Sequence, residues 1–189
     1  MKLSINAACE RVRDWGRDGN EHLIALRPAG LTLRDGGSDG EDDLVLFTKD
    51  GDKRSVSLGT EIECKMFGKG DILVHNHPNS LSGLSCQDTK AAAQTGTTIY
   101  AITQDGSRYW AKVPDAGKLG QAGDDVHDRF STLSDCVFFT GALSRQAAEQ
   151  GFQHVLHLRL AKAGLIDYGF NLKPESQKLF EEFVKVGLA

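Results

Sequence analysis

Residues 71–93, DILVHNHPNSLSGLSCQDTKAAA, decide how this chain can be interpreted. An apolar run is followed by two histidines one residue apart and then by a proline. Residues two apart in an extended strand point to the same face, so His75 and His77 direct their rings one way and Asn76 the other. Pro78 has no N–H and a fixed φ, which predicts that the strand ends there and a loop begins.

The loop leads to a predicted helix start that carries Ser85 and, three residues later, Asp88. Three protein ligands with a fourth position open to water are typical of catalytic zinc, which can turn water into a nucleophile at neutral pH. His75, His77 and Asp88 are therefore candidate metal ligands. Ser-x-x-Asp is also an acceptable helix cap, and the histidines could be polar residues at a sheet edge. The combination of all these features favours the metal site.

His75-x-His77-Pro78 followed by Ser85-x-x-Asp88 resembles the signature of the JAMM/MPN metalloproteases, a zinc-dependent, deubiquitinase-like family with archaeal, bacterial and phage members. The spacing matches from the first histidine to the aspartate. The resemblance covers residues 4–114 and implies a mixed β-sheet flanked by helices, akin to that of the cytidine deaminases. It also implies that Zn²⁺ is the cofactor and that the two histidines and the aspartate hold it.

The family uses a glutamate upstream of the histidines as general base, near the end of the first helix and just before the first hairpin. Glutamates precede the first histidine at five positions: Glu10, Glu21, Glu41, Glu61 and Glu63. Glu21, in GNEHLIAL, stands at the predicted junction of helix and strand, so the resemblance implies that it is the base. Its alternative is a surface carboxylate that caps a turn. Glu61 and Glu63 are explained locally as helix-start residues and become candidates if Glu21 is not the base.

The resemblance further implies the roles of two residues. Glu21 would take a proton from the attacking water and return it to the leaving amine. Ser85 would donate a hydrogen bond to the developing oxyanion, cap the helix, or do both. Cys86 could offer a thiolate to a metal, but it points about 100° away from Ser85 on a helix, which favours a small buried residue.

The predicted function is therefore that of a zinc-dependent metallopeptidase that hydrolyses a peptide or isopeptide bond. Its predicted partner is a protein or peptide substrate, such as the tail of a ubiquitin-like or other small protein added to an exposed strand edge. One alternative is a non-catalytic MPN-like scaffold. Another is a module like the RadC-type proteins of DNA repair, whose HNHP segment continues with Ser-Gly where this chain has Asn79-Ser80.

Composition supports an ordinary globular protein, with 40% hydrophobic and 25% charged residues among 189. A net charge of −4 argues against a dominant nucleic-acid surface, so no nucleic-acid partner is expected. Charges recur through the first residues and no apolar run approaches the roughly 18 residues of a membrane span, so neither an export signal nor a membrane segment is predicted. Four cysteines stand far apart, which favours reduced thiols and a cytoplasmic location.

The remaining patterns predict an α+β fold with a mixed sheet. Helices are expected from the N-cap Ser4 to Gly16, from Thr60 to Gly68, from Ser85 to Gly96, and over residues 144–163 and 174–185. Three hairpins are expected, formed by residues 22–26 with 31–35, 44–48 with 55–58, and 97–103 with 108–113. Residues 115–125 suggest a linker, so we predict a catalytic domain over 1–115 and a helical C-terminal extension, packed on it, over 116–189.

A second histidine pair, His154 and His157, lies at i, i+3 in the longest predicted C-terminal helix. Such a pair could bind a metal, but no third ligand is evident nearby, and amphipathic helices carry such pairs by chance. His127, between acidic residues, is predicted to be solvated.

Overall fold

The computed structural model describes residues 2–28, 43–53 and 68–189, which form an α+β structure with one mixed sheet. The strands are β1 (Lys2–Leu3), β2 (His22–Arg27), β3 (Asp43–Asp50), β4 (Ile72–His77), β5 (Thr98–Thr103), β6 (Arg108–Lys112) and β7 (Asp167–Asn171). The helices are α1 (Ile5–Trp15), α2 (Cys86–Thr95), α3 (Ala116–Phe139), α4 (Phe152–Lys162) and α5 (Pro174–Lys185). A 3₁₀ turn (Gly16–Asp18) follows α1, and a π-helical turn (Ala147–Gly151) precedes α4.

The strand order is β1-β3-β2-β4-β5-β6-β7. Strands β4 and β5 run parallel, and α2 is the crossover between them; the other neighbouring pairs are antiparallel. Strand β4 therefore lies in the middle of the sheet, with β2 on one side and β5 on the other. This position makes the end of β4 a rigid support for side chains.

The two faces of the sheet are covered by different elements. Helix α1 packs on one face, where Val12 meets residues such as Ile24 and Val74. Helix α2 and the C-terminal helices cover the other face, whose core includes Leu73 and Leu156. Because side chains alternate along β4, its odd-numbered residues face α2 and its even-numbered residues face α1.

Several sequence predictions are confirmed. Helix α1 begins after Ser4, whose side chain accepts a hydrogen bond from Ala7 N at 3.1 Å. Helix α2 lies between Ser85 and a left-handed Gly96, as the capping pattern indicates. Strands β5 and β6 form the third predicted hairpin. Helix α5 has the predicted bounds. The π-helical turn and α4 together form the helix predicted over 144–163.

The predicted linker over residues 115–125 is wrong, because these residues begin α3. Asp115 caps that helix by accepting hydrogen bonds from Gly117 N at 3.0 Å and Lys118 N at 3.1 Å. A cap that satisfies two of the unpaired amide groups of the first turn offsets part of the cost of the helical glycines.

The C-terminal region is not purely helical, which corrects a second expectation. Strand β7 pairs with β6 in antiparallel register, so the sheet takes strands from both predicted regions. The division of the chain at residue 115 stays a prediction. Within the described ranges, no helix combines the length and the apolar character that crossing a bilayer requires.

Other predictions concern residues outside the described ranges. These are the strand partners at 31–35 and 55–58, the helix from Thr60, and the glutamates Glu41, Glu61 and Glu63. Strands β2 and β3, each predicted as one half of a hairpin, are present and pair with each other.

Candidate metal centre

The end of β4 and the first turn of α2 bring three potential ligands together. His75 and His77 lie on the α2 face of β4, and Asp88 projects from the start of α2. One nitrogen or oxygen atom from each of the three residues can be chosen so that all lie within 4.8 Å of one another. Among the residues that the structure describes, they are the one group of three or more such side chains found this close.

The separations fit a small divalent cation. The Nε2 atoms of His75 and His77 are 3.0 Å apart, and Asp88 oxygens lie 3.4 Å from the first and 4.0 Å from the second. Tetrahedral zinc with bonds of 2.0–2.2 Å separates neighbouring ligand atoms by about 3.3 Å. The distances lie on both sides of that value, so the residues could hold zinc after small side-chain rotations.

Hydrogen bonds outside the cluster fix both imidazole rings. His77 Nδ1 lies 2.9 Å from the carbonyl oxygen of Ser82, and a carbonyl only accepts, so Nδ1 carries the proton and Nε2 keeps its lone pair. The His75 ring hydrogen-bonds to the backbone of Tyr100 on the neighbouring strand. Outer contacts of this kind orient histidines that bind metals and set their tautomers.

The electrostatics of the cluster are coupled. Burial raises the pKa of Asp88, but the charges of His75 and His77 and the hydrogen bonds to His75 and Ser85 together outweigh burial, so the pKa lies well below its ordinary value. Burial lowers the pKa of His75, yet Asp88 and then Glu21 raise it above normal, whereas burial and the nearby His75 lower the pKa of His77. A proton and a bound cation would compete for the lone pairs of these side chains.

Ser85 forms a capping box with Asp88. Ser85 Oγ accepts from Asp88 N at 3.1 Å, while Ser85 N and Oγ each donate to Asp88 Oδ2 at 2.7 Å. The predicted capping role is thus confirmed, and it has a consequence for the site. With Oδ2 held by Ser85, Oδ1 is the oxygen nearer His75. The oxyanion role of Ser85 stays a prediction.

Glu21 lies immediately before β2, on the side of the sheet where the cluster stands. Leu23, two residues later, pairs with His75 across β2 and β4. The negative charge of Glu21 is among the causes that raise the pKa of His75. Glu10, in contrast, extends from α1 to Arg108, with 2.7 Å between their charged atoms. Of the two upstream glutamates that the structure describes, Glu21 is the one whose charge acts on the candidate ligand His75.

The C-terminal helix α4 supports the site, a contribution that the sequence did not indicate. Thr89 Oγ1 lies 2.6 Å from His157 Nε2 and 3.2 Å from the carbonyl oxygen of Ser85. Gln150, in the π-helical turn, accepts from Leu81 N at 3.3 Å in the loop before α2. The two residues in each contact are 68 or 69 positions apart in the chain, so local sequence patterns carry no signal for them.

Cys86 does not join the ligand cluster. Its Sγ lies 3.8 Å from Gln153 Oε1 on α4, and burial raises the pKa of the thiol. A thiol that resists ionisation is a poor metal ligand. The structure therefore agrees with the prediction that Cys86 is a packing residue, although it is only partly buried.

A cleft of about 450 Å³ opens at the end of β4, on the face of the sheet that α1 covers. His77 and Pro78 line one side of it, and Arg13 and Arg17 of the α1 region line another. Asn76 lines the cleft, whereas His75 and Asp88 do not, so it opens on the face of the sheet opposite to these two candidate ligands.

Comparisons with protein-family models, with curated proteins and with solved structures find no match for the chain. Inferences about function therefore depend on the geometry of the site.

Proposed function

We propose that the protein is a zinc metallopeptidase of the JAMM/MPN type, which hydrolyses a peptide or isopeptide bond. The observation that carries the proposal is the convergence of His75, His77 and Asp88 within 4.8 Å at the end of a central strand. Two imidazoles and one carboxylate make a ligand set that suits zinc and leaves a coordination position for water or substrate. Glu21 on the same side of the sheet adds the base that such a hydrolysis needs.

In the proposed reaction, His75, His77 and Asp88 would hold zinc. When bound, zinc would supply Lewis acidity to the scissile carbonyl and to the attacking water. Glu21 accepts a proton from that water as the new carbon–oxygen bond forms. It then passes the proton to the leaving nitrogen as the carbon–nitrogen bond breaks, so the products are a carboxylic acid and an amine.

Ser85 serves this reaction first by holding Asp88 in place. Its hydroxyl hydrogen points to Asp88 Oδ2. A rotation about its side chain would let it donate to the developing oxyanion instead, an interaction whose loss in other enzymes costs about 3 kcal/mol.

The proposed substrate is the extended tail of a protein, such as a ubiquitin-like or other small protein. Strand β4 has partners on both sides, so a tail cannot pair with β4 itself. A tail that adds to another strand edge near the site remains the proposed docking mode.

The test combines metal analysis with cleavage of tagged fusion proteins. Zinc-loaded protein should contain close to one zinc per chain, and His77→Ala should remove most of it, whereas His127→Ala, at a half-buried histidine outside the cluster, should not. Glu21→Gln should abolish cleavage while zinc stays bound, because it removes the base and no ligand. Glu10→Gln, which removes a carboxylate outside the cluster, is the matched control and should retain cleavage.

The possible outcomes separate the alternatives. Normal cleavage by Glu21→Gln would show that another residue is the base, with Glu61 and Glu63 as the next candidates. Tight zinc binding with no cleavage of any peptide or isopeptide substrate would favour a non-catalytic scaffold. A lack of stoichiometric zinc would remove the basis of the proposal.

A further inference from the structure

We propose that Asn76 is a positioning residue for Glu21, a role that rests on the proposed function of Glu21 as the general base. The side-chain amide of Asn76 holds the peptide groups on both sides of Glu21. Asn76 thereby fixes where the carboxylate of the base can stand relative to the metal ligands.

The contacts are specific to a primary amide. Asn76 Oδ1 accepts from His22 N at 2.5 Å, and Asn76 Nδ2 donates to the carbonyl of Asn20 at 3.1 Å. Only an amide side chain offers a donor and an acceptor side by side without a charge. Asn76 is 1% exposed, so water does not replace these bonds easily.

The backbone of Glu21 is held from the other direction by the end of β3. Glu21 N donates to the carbonyl of Asp52 at 2.8 Å, and its own carbonyl accepts from Gly51 N at 2.7 Å. Four backbone groups in a row, from the carbonyl of Asn20 to the amide of His22, are therefore bonded. Both peptide groups that flank Glu21 are therefore fixed.

The strand places Asn76 where it can link the two halves of the site. Asn76 stands between the two metal ligands in sequence but points to the opposite face of the sheet. His75 and His77 thus place two candidate ligands on one face of the sheet. Asn76, between them, holds residues 20–22, the segment that contains the proposed base, from the opposite face. A movement of β4 would move ligands and base together, which keeps their spacing constant.

The end of α1 leaves room for the amide. A Cβ at Gly16 would lie 2.1 Å from Asn76 Nδ2 and 3.3 Å from Pro78 Cβ, so a larger residue there would displace the amide. The ring of His22 is separately bonded to Asp50 at 2.8 Å and to Asp18 at 3.1 Å. Because the ring keeps these bonds, removal of the amide should loosen the segment without unfolding it.

The test is Asn76→Ala, with Asn6→Ala as the matched control. Asn6 also accepts a hydrogen bond through its amide oxygen, but from Arg108 rather than from residues 20–22. With zinc-loaded protein, we expect kcat of Asn76→Ala to fall about 10- to 100-fold, since displacement of a catalytic group by about 1 Å has effects of this size. KM and zinc content should stay within about twofold, and the acid limb of the kcat–pH profile should move, because the base lies in altered surroundings.

Amide hydrogen exchange provides a readout that needs no catalysis. In Asn76→Ala the amide of His22 should exchange at least about tenfold faster, because it has lost its acceptor, while the amide of Ile24 in the β2 ladder keeps its rate. Gly16→Ala should reproduce both effects through displacement of the Asn76 side chain, and it covers the case in which Asn76→Ala does not fold.

The outcomes separate the two proposals. A wild-type kcat and an unchanged pH profile in folded Asn76→Ala would overturn the positioning role, even if the variant were less stable. Unchanged exchange at His22 would overturn it independently. If the wild-type protein hydrolyses nothing, the proposed function and the positioning role fail together, and the exchange result then shows only whether the amide holds the segment.

Discussion

The chain carries two histidine pairs, and the difference between them shows why one of them is a candidate metal site. His75 and His77 on β4 direct their Nε2 atoms toward each other and toward Asp88. His154 and His157 on α4 are both buried, but their nitrogens bond to separate partners. His154 Nδ1 bonds to the hydroxyl of Tyr168 at 2.8 Å, and the two nitrogens of His157 are used by Thr89 and by the carbonyl of Gln153.

The surroundings of the two pairs differ in charge as well as in direction. The β4 pair has Asp88 as a close anionic neighbour, and Glu21 adds to the negative potential. His154 lies among aromatic rings, those of Phe170, Phe180 and Tyr109, at centroid distances of 4.6–5.4 Å. Its Nε2 is buried without a hydrogen-bond partner. Spacing in the sequence is therefore insufficient, and a carboxylate that faces the lone pairs is the decisive addition.

The same contrast appears in the proton affinities. The negative charges near His75 raise its pKa above the ordinary value although the residue is buried. Burial, followed by the nearby His157, lowers the pKa of His154 to about 3. A histidine that resists protonation among aromatic rings is a packing residue, and this accords with the sequence-based preference against a metal site on α4.

The largest expected effect is on zinc affinity, and it comes from removing the negative charge that faces the β4 histidine pair. Asp88→Asn keeps the size of the side chain but removes the charge, so zinc affinity should fall at least about 100-fold. His154→Phe, which removes a histidine from the other pair, should leave zinc affinity within about threefold. Competition with a chromogenic chelator measures both. Equal losses in the two variants would mean that the β4 cluster is not the zinc site.

The next effect concerns the α4 pair and the free energy of unfolding. The unfolded chain binds a proton at His154 near its ordinary pKa of 6.5, whereas the folded chain binds it only near 3. The contribution of His154 to stability is thus fully present above pH 6.5 and is lost as the pH falls toward 3. Between pH 7 and pH 5 this residue alone should remove about 2 kcal/mol.

Comparison of His154→Phe with the wild type isolates that contribution, because other histidines titrate in the same range. His22, for example, has a raised pKa and an effect of opposite sign. Urea unfolding of metal-free protein at the two pH values should show a pH dependence about 2 kcal/mol smaller in His154→Phe. An identical pH dependence in both proteins would show that His154 is not held neutral by its surroundings.

The sequence indicated the β4 site because the signals for it are local. The alternation of the strand places His75 and His77 on one face, and the cap pattern places Asp88 in the first turn of a helix. The hydrogen bonds of Asn76 and of His157 escaped prediction because each joins elements far apart in the chain, whose register no local pattern specifies. Strand β7 was missed for a similar reason, since its pairing with β6 depends on how the C-terminal helices pack.

The smallest expected effect concerns Ser85, the residue that orients the carboxylate of Asp88 beside the β4 pair. Ser85→Ala and Ser4→Ala each remove a helix cap, so each should lower the free energy of unfolding by about 1 kcal/mol. Ser85→Ala alone should also weaken zinc binding, by about tenfold, because Asp88 Oδ2 loses the hydroxyl that holds it. Thermal unfolding of the metal-free variants and zinc competition separate the two contributions. If both variants lost stability and neither lost zinc affinity, the histidines and the backbone of α2 would suffice to orient Asp88, and the distinction between the two pairs would lie in the carboxylate itself.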